Sequence, residues 1–290
     1  MTTSHSASRH PASRIDALLS NAPGELRLET ELLIARAMGW TRARVLAFGE
    51  HEINGELLCE LQKQLTRLAS GEPFAYITGT REFFGLNFKV TPDVLIPRPE
   101  TELLVEIALA VSPQQASVVD LGTGSGAIAI SLAHKRPDLS VTASDFSAEA
   151  LAIAQHNAEQ HSAQLRLVKS NWFEALKGKF NTIVSNPPYI RSNDPHLVAI
   201  SHEPQQALVA GQSGLDDIIA IVSHASEFLK TDGNLLIEHG YDQATEVKEL
   251  FEHQGFTQIQ THQDLAGHPR ITTGRMRKTQ PGKRGGKTIE

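Results

Sequence analysis

Val118-Val119-Asp120-Leu121-Gly122-Thr123-Gly124-Ser125-Gly126 turns an apolar run into a glycine-rich loop, and a helical pattern follows it to His134. Val118 to Gly122 reads as a buried strand. The glycines let backbone approach a ligand closely, and the helix start offers free N–H donors. Downstream the texture repeats. Strands are predicted at 141–145, 165–170, 181–186 and 234–240, and helices at 148–160 (capped by Ser147), 215–229 and 243–253. Apolar strands alternating with helices predict an α/β fold with a doubly wound, mostly parallel sheet. Residues 256–262 and 270–276 lack a helix between them and predict an antiparallel edge pair.

Upstream, residues 12–71 read as consecutive short helices. From Asn54 to Ser70, Leu57, Leu58, Leu61, Leu65 and Leu68 recur at helical spacing, with Asn54 placed to cap the start and Gly71 the end. Glu25 to Met38 repeats the pattern with Leu28, Leu32, Leu33 and Ala35, then Gly39. Between 76 and 96, Phe83, Phe84, Phe88 and Val90 flank Gly85-Leu86-Asn87, which predicts a β-hairpin linking two domains. Ile96-Pro97-Arg98-Pro99-Glu100-Thr101-Glu102 enters the next helix extended, because each proline disfavours helix in the residue before it. The expected organisation is a leader at 1–11, a helical domain at 12–75, a linking hairpin at 76–96, a sheet domain at 97–276 and a basic tail at 277–290.

The chain has 290 residues, is 40% apolar and 21% charged, and carries a net charge of -6. No apolar run approaches the ~20 residues of a membrane helix. Met1 to Arg14 lacks the apolar core of a secretory signal. With Cys59 the single cysteine, no internal disulfide can form, which suits a reducing cytoplasm. Cys59 itself, beside Leu57, Leu58 and Leu61, is expected as a small buried apolar side chain. The acidic balance argues against a general nucleic-acid binder. Arg275, Arg277, Lys278, Lys283, Arg284 and Lys287 make the C-terminus a local exception, read as a solvated tail. The 13 histidines are scattered, and no metal site is expected.

Two constellations carry chemistry. Gly122, Gly124 and Ala127 fit a dinucleotide pattern, so a nicotinamide enzyme is one reading of the loop. Asp120 favours another, because a carboxylate before the glycines opposes a pyrophosphate and suits a cationic amino group such as that of S-adenosylmethionine. Asp145, ending the second strand, suits ribose hydroxyls in either case. Trp172 follows the third strand and can lie against adenine, or serve as a core tryptophan. At the end of the fourth strand stands Asn186-Pro187-Pro188-Tyr189. An amide or aromatic amino nitrogen is a poor nucleophile with two N–H donors. The Asn186 side-chain oxygen and the Pro187 carbonyl can accept one each and turn its lone pair toward a methyl donor. Pro187 and Pro188 stiffen the loop, and Tyr189 offers a flat wall. No general base is evident in the motif.

From about Ile15 to Met276 the sequence resembles the bacterial peptide-chain release factor glutamine methyltransferases (the HemK/PrmC family). Beyond the glycine loop and Asn186 to Tyr189, the resemblance rests on Leu46-Ala47-Phe48-Gly49, Gly71-Glu72-Pro73, Ile77-Thr78-Gly79, Arg81-Glu82-Phe83, Ile96 to Glu102, Glu203-Pro204 and Glu238-His239-Gly240. It implies a seven-stranded Rossmann-like methyltransferase sheet with an N-terminal all-helical domain that helps dock the substrate. The implied cofactor is S-adenosylmethionine, contacted by Gly122, Thr123, Gly124, Ser125, Gly126, Asp145, Trp172 and Asn186. The implied substrate is the glutamine of the Gly-Gly-Gln loop of class 1 release factors, held by Asn186, Pro187, Pro188 and Tyr189. No stable nucleic-acid or membrane partner is implied, and a cytoplasmic monomer is expected. Two places depart from the family: Asn171 stands where an acid is common, and 195–204 looks shortened, with Ser201-His202 in place of an arginine-containing stretch. The competing activity is methylation of an adenine amino group in DNA or RNA, which needs an extruded base and usually a basic groove. A non-catalytic binding module is disfavoured by the intact Asp120, glycines, Asp145 and Asn186.

Overall fold

The computed structural model describes residues 12–277, so the leader and all but Arg277 of the basic tail lie outside the described residues. The chain divides into two compact units between Gly79 and Thr80.

The first unit holds α1 (Ile15–Ser20), α2 (Arg27–Met38), α3 (Arg42–Ala47), α4 (Gly55–Ala69) and α5 (Phe74–Thr78). Ile15, Leu33, Ile34, Val45, Leu58 and Leu61 are its core. It is not all-helical: β1 (Ala12–Arg14) pairs antiparallel with β2 (Glu52–Asn54), in strands too short to show alternation in sequence. Several expectations shift. Leu28 and Leu57 are exposed, because the buried faces centre on Leu33-Ile34 and on Leu58, Leu61 and Leu68. Cys59 is exposed, one residue and about 100° around the helix from Leu58. Asn54 occupies the cap position without a side-chain cap bond. Glu31, 3% exposed, is matched by Arg42 at 2.6 Å and Arg27 at 3.3 Å, so α2 buries a paired carboxylate in an otherwise apolar face.

The second unit opens with a hairpin, β3 (Thr80–Phe83) and β4 (Leu86–Lys89). It is shorter than expected: Tyr76 to Thr78 belong to α5, and Leu86 and Asn87 lie in the strand. The two turn residues are Phe84 (φ 52°) and Gly85 (φ 79°), both left-handed as a tight hairpin turn requires. Strain at Phe84, about 1 kcal/mol or more, is offset by burial of Phe83 and Phe88, worth roughly 1.5–3 kcal/mol each. The Phe84 N–H also donates to Glu102 at 2.9 Å.

After α6 (Glu102–Val111) comes the sheet: β5 (Ser117–Leu121), α7 (Ala127–Lys135), β6 (Ser140–Asp145), α8 (Ala148–Gln160), β7 (Leu165–Lys169), β8 (Phe180–Ser185), α9 (Asp216–Phe228), β9 (Leu229–Glu238), α10 (Ala244–His253), β10 (Phe256–Gln263) and β11 (Pro269–Met276). The strand order is β10-β11-β9-β8-β5-β6-β7. β11 runs antiparallel to both its neighbours, so it sits inside the sheet and β10 forms the edge. Alternation along the strands feeds two cores. Val118, Val184 and Leu236 face α6 and α7, whereas Val119, Leu121, Ile183, Leu235 and Ile237 face α9 and α10. Burial on both faces explains the continuous apolar runs. Four strands stop short of their expected ends: β5 at Leu121 and β7 at Lys169 by one residue each, and β8 and β9 with more consequence. Asn186 lies just past β8, and His239 and Gly240 just past β9, so both motifs leave the sheet where a loop can present them.

Candidate active site

From β5 the chain winds outward through β6 and β7, then crosses back to β8 on the other side of β5. Leu121 and Ser185 are in register there, so the carboxyl ends of β5 and β8 diverge into a crevice, the usual ligand position in an open α/β sheet. A cavity of about 310 Å³ opens at this place. Gly122, Gly124, Asp145, Trp172 and Asn186 line it, as do Phe146 and Asp217, which sequence reasoning did not single out.

Asp145 is held by the loop it faces: its oxygens accept from Gly124 N at 2.8 Å and Ser147 N at 2.9 Å, and burial raises its pKa. The Trp172 ring lies over Gly122, where an added Cβ would meet it at 3.3 Å. Burial raises the pKa of the Asp217 carboxyl, and Trp172 works against that rise. Phe146, 66% exposed, gives the cavity a second aromatic wall. Its only sequence signal was its place after Asp145; Asp217 had none, because α9 returns to the site from far along the chain.

Four residues expected at the cofactor line neither cavity. Asp120 is fully buried under the loop. Its Oδ2 accepts from Thr123 Oγ1 at 2.6 Å, its Oδ1 has no partner, and burial pushes its pKa up to about 7. Since Val119 and Leu121 face one layer, strand alternation turns Asp120 toward the other, beneath the start of α7. Thr123 and Ser125 are buried with it. Gly126 serves packing: a Cβ there would meet Ile130 Cδ1 at 2.7 Å and Ala154 Cβ at 3.2 Å, so its absence lets α7 and α8 close together.

A second cavity, about 190 Å³, adjoins the first and shares Leu95, Asn186 and Ala207 with it. Arg98, Pro187, Tyr189, Ile190, Ile200 and Leu208 complete its wall, while Pro188 faces the first cavity. The four-residue motif thus straddles the boundary. Asn186 Nδ2 donates to Thr101 Oγ1 at 3.1 Å, and Asn186 Oδ1 is buried without a partner. Burial raises the Tyr189 phenol, which keeps that wall neutral. Arg98 is fixed by the buried Glu203, which also accepts from Ile96 N at 3.1 Å; this gives Glu203-Pro204 a structural reason. Glu238 is 1% exposed, has an unpartnered Oε2, and is pushed up to about 7 by burial. His239 instead bonds Gly240 O at 2.8 Å and Thr272 Oγ1 at 2.9 Å, which serves the β9–β11 edge.

The lining of the larger cavity discriminates between ligands. Asp93, Asp145 and Asp217 contribute carboxylates, and among the described residues no lysine or arginine lines it. A pyrophosphate would meet like charge with no compensating cation, whereas a cationic ligand with an apolar ring system meets complementary walls.

Residues 99–263 match the family model described as Methyltransferase small domain, and residues 13–79 match PrmC N-terminal domain. The Release factor glutamine methyltransferase of Pseudomonas aeruginosa is 46% identical over 264 residues, covering 89% of this chain and 95% of that one. Its counterpart from Escherichia coli is 44% identical over 255 residues, covering 86% and 92%. This chain belongs to the release factor glutamine methyltransferase family. A solved Methyltransferase from Pyrococcus furiosus shares the fold, with a TM-score of 0.54 at 20% identity, covering 75% of this chain and 100% of that one. Among the described residues no helix is long and apolar enough to cross a membrane.

Proposed function

We propose that this chain transfers a methyl group from S-adenosylmethionine to the side-chain amide nitrogen of the glutamine in the Gly-Gly-Gln loop of class 1 release factors, in the cytoplasm and as a monomer. The observation that carries the reading is Asn186: with Leu95 and Ala207 it lines both cavities, and its side-chain oxygen is buried without a partner.

The larger cavity fits the methyl donor. Asp145 suits ribose hydroxyls, Trp172 and Phe146 suit an adenine, and the cation-free acidic lining suits a sulfonium and an amino group. When bound, S-adenosylmethionine would supply an electrophilic methyl: as the N–CH3 bond forms the S–CH3 bond breaks, sulfur keeps its electron pair as a neutral thioether, and the displaced N–H proton passes to water. This chain's residues then hold and aim the nucleophile. Asn186 Oδ1 accepts one amide hydrogen and the Pro187 carbonyl the other, so the nitrogen lone pair turns to the larger cavity. Tyr189 and the Arg98 stem flank the flat amide. Positioning of this kind supplies several kcal/mol of the ~7–11 available from effective molarity. The N-terminal unit is assigned to docking the release factor.

The test is transfer of label from S-adenosylmethionine to a purified release factor, with a control in which the loop glutamine is replaced. Label is expected on the first and lost on the second. Label that persists in the control, or appears only on nucleic acid, overturns the substrate assignment. A second expectation concerns the donor. Phe146→Ala raises KM for S-adenosylmethionine about tenfold, the scale of one base–aromatic stack. The loss falls on KM more than on kcat. A KM that does not move removes Phe146 from the donor's contacts.

A further inference from the structure

An asparagine side chain has two ends of nearly equal size and opposite hydrogen-bonding character, so shape alone does not decide which one faces the reacting amide. If the NH2 of Asn186 faced the second cavity, it would oppose the N–H donors of a glutamine amide. We propose that Thr101 and Glu238 fix the rotation of the Asn186 amide so that its oxygen faces the joined cavities; this rests on the methyl-transfer reading above.

The three residues come from three elements: Thr101 from the turn before α6, Asn186 from the end of β8 and Glu238 from the end of β9. Thr101 is 4% exposed and Glu238 is 1% exposed. Asn186 Nδ2 donates to Thr101 Oγ1 at 3.1 Å. With that oxygen accepting, the single hydroxyl hydrogen of Thr101 needs an acceptor of its own. The buried Glu238 carboxyl is the acceptor we assign to it, since the Thr101 hydroxyl and the Asn186 amide both act on Glu238 to lower its pKa against the effect of its burial. Hydrogens therefore run from Asn186 to Thr101 to Glu238 and end on a group that, ionised, can only accept. Reversing the amide would set Asn186 Oδ1 against Thr101 Oγ1. The hydroxyl hydrogen would then have to leave Glu238, whose other oxygen, Oε2, already lacks a partner. With Glu238 ionised, losing that bond disfavours the reversed amide roughly ten- to a hundredfold. Thr101 and Glu238 are thus positioning residues, acting on the substrate through Asn186. The order of hydrogens also explains why a threonine, able to accept and donate at one atom, stands in an otherwise charged run, Glu100-Thr101-Glu102.

The test uses the full chain, a purified release factor and five variants. Thr101→Val keeps the shape and removes the hydroxyl: kcat is expected to fall about ten- to a hundredfold, with KM for S-adenosylmethionine within about threefold. Thr101→Ser restores the hydroxyl and is expected to recover most of the rate. The decisive measurement is Thr101→Val placed in an Asn186→Ala background, where it should cost little further, because the group it orients is gone. An equal loss in both backgrounds would make Thr101 a structural support only and overturn the proposal. So would a Thr101→Val enzyme with the full rate. Glu238→Gln, whose amide can accept or donate, relaxes the order of hydrogens and is expected to lower kcat by a smaller factor than Thr101→Val. Calorimetric binding of S-adenosylmethionine by each variant reports an intact fold. Failure of the unaltered enzyme to label the release factor would instead strike the methyl-transfer reading itself.

Discussion

Replacing Asn186 with alanine is expected to lower kcat by about 10²–10³-fold, the usual loss when one preorganised hydrogen-bonding group is removed from a reacting centre. The size follows from what the amide does. A carboxamide nitrogen shares its lone pair with the carbonyl, so it reacts only if it is held in line with the methyl group and its hydrogens are drawn aside. Alanine removes the Oδ1 acceptor and leaves one substrate N–H without its protein partner, which costs more as the transition state develops charge on nitrogen. The loss should appear mainly in kcat. Asn186 also lines the donor cavity, so a rise of a few-fold in KM for S-adenosylmethionine is expected beside it. Asn186→Asp keeps an acceptor oxygen but discards the donor to Thr101 and adds a charge. It should fall between the two, and its deficit should grow as the new carboxyl ionises. Initial rates with saturating release factor separate these cases. A near-wild-type rate for the alanine variant would remove Asn186 from the mechanism.

The sheet was legible because its signals are redundant. The central parallel strands are apolar runs, each helix has a period of its own, and the glycine loop marks the one place where the first strand must hand over to a helix. The position of Asn186 was legible for the same reason, since a polar-proline turn after a buried strand has few places to go. What escaped depended on single contacts between distant segments. Asp217 reaches the cavity from the first turn of α9, and Thr101 and Glu238 meet Asn186 from opposite sides of the sequence; no local pattern records such meetings. Phe146 lies between the end of a strand and the Ser147 cap, where no motif marked it. Asp120 was placed beside the ligand from its distance to the glycines, but strand alternation turned it under the loop instead. The β1–β2 ladder is too short to carry a period. Cys59 was judged by its neighbours in sequence, whereas helix geometry puts successive residues on different faces. The hairpin turn fell on Phe84, a residue that rarely adopts a left-handed conformation, so its register was set by burial of Phe83 and Phe88 rather than by turn chemistry.

Gly214→Ala is expected to lower kcat about 100-fold although Gly214 lines neither cavity. Gly214 has φ +75°, and a Cβ there would drive into the Tyr189 carbonyl oxygen and come within 2.9 Å of Gln243 Nε2. Both are part of one knot. Gln243, 2% exposed, donates from Nε2 to Tyr189 O at 3.0 Å and to Gly214 O at 3.1 Å, and its Oε1 accepts from Gly240 N at 2.8 Å. A single buried amide thus ties the catalytic loop to the 211–214 turn and to the end of β9. The obstacle on one side is backbone, so relief must come from moving the Tyr189 peptide, and with it the ring and the residues joined to Asn186. A displacement near 1 Å at a positioned nucleophile costs on the order of 10²-fold in rate. Stability should fall too, by about 2–4 kcal/mol from left-handed strain plus overpacking, or roughly 5–10 °C in Tm for a unit of this size. Activity measured well below that temperature, with S-adenosylmethionine binding retained, separates misplacement from unfolding. Gly178→Ala supplies the comparison: its φ is +88° but nothing lies within 4 Å of the added Cβ, so it incurs the strain without the collision. If both variants lost Tm alike and both kept the rate, the Tyr189 peptide would not be positioned by the Gly214 turn, and the tie through Gln243 would be structural only.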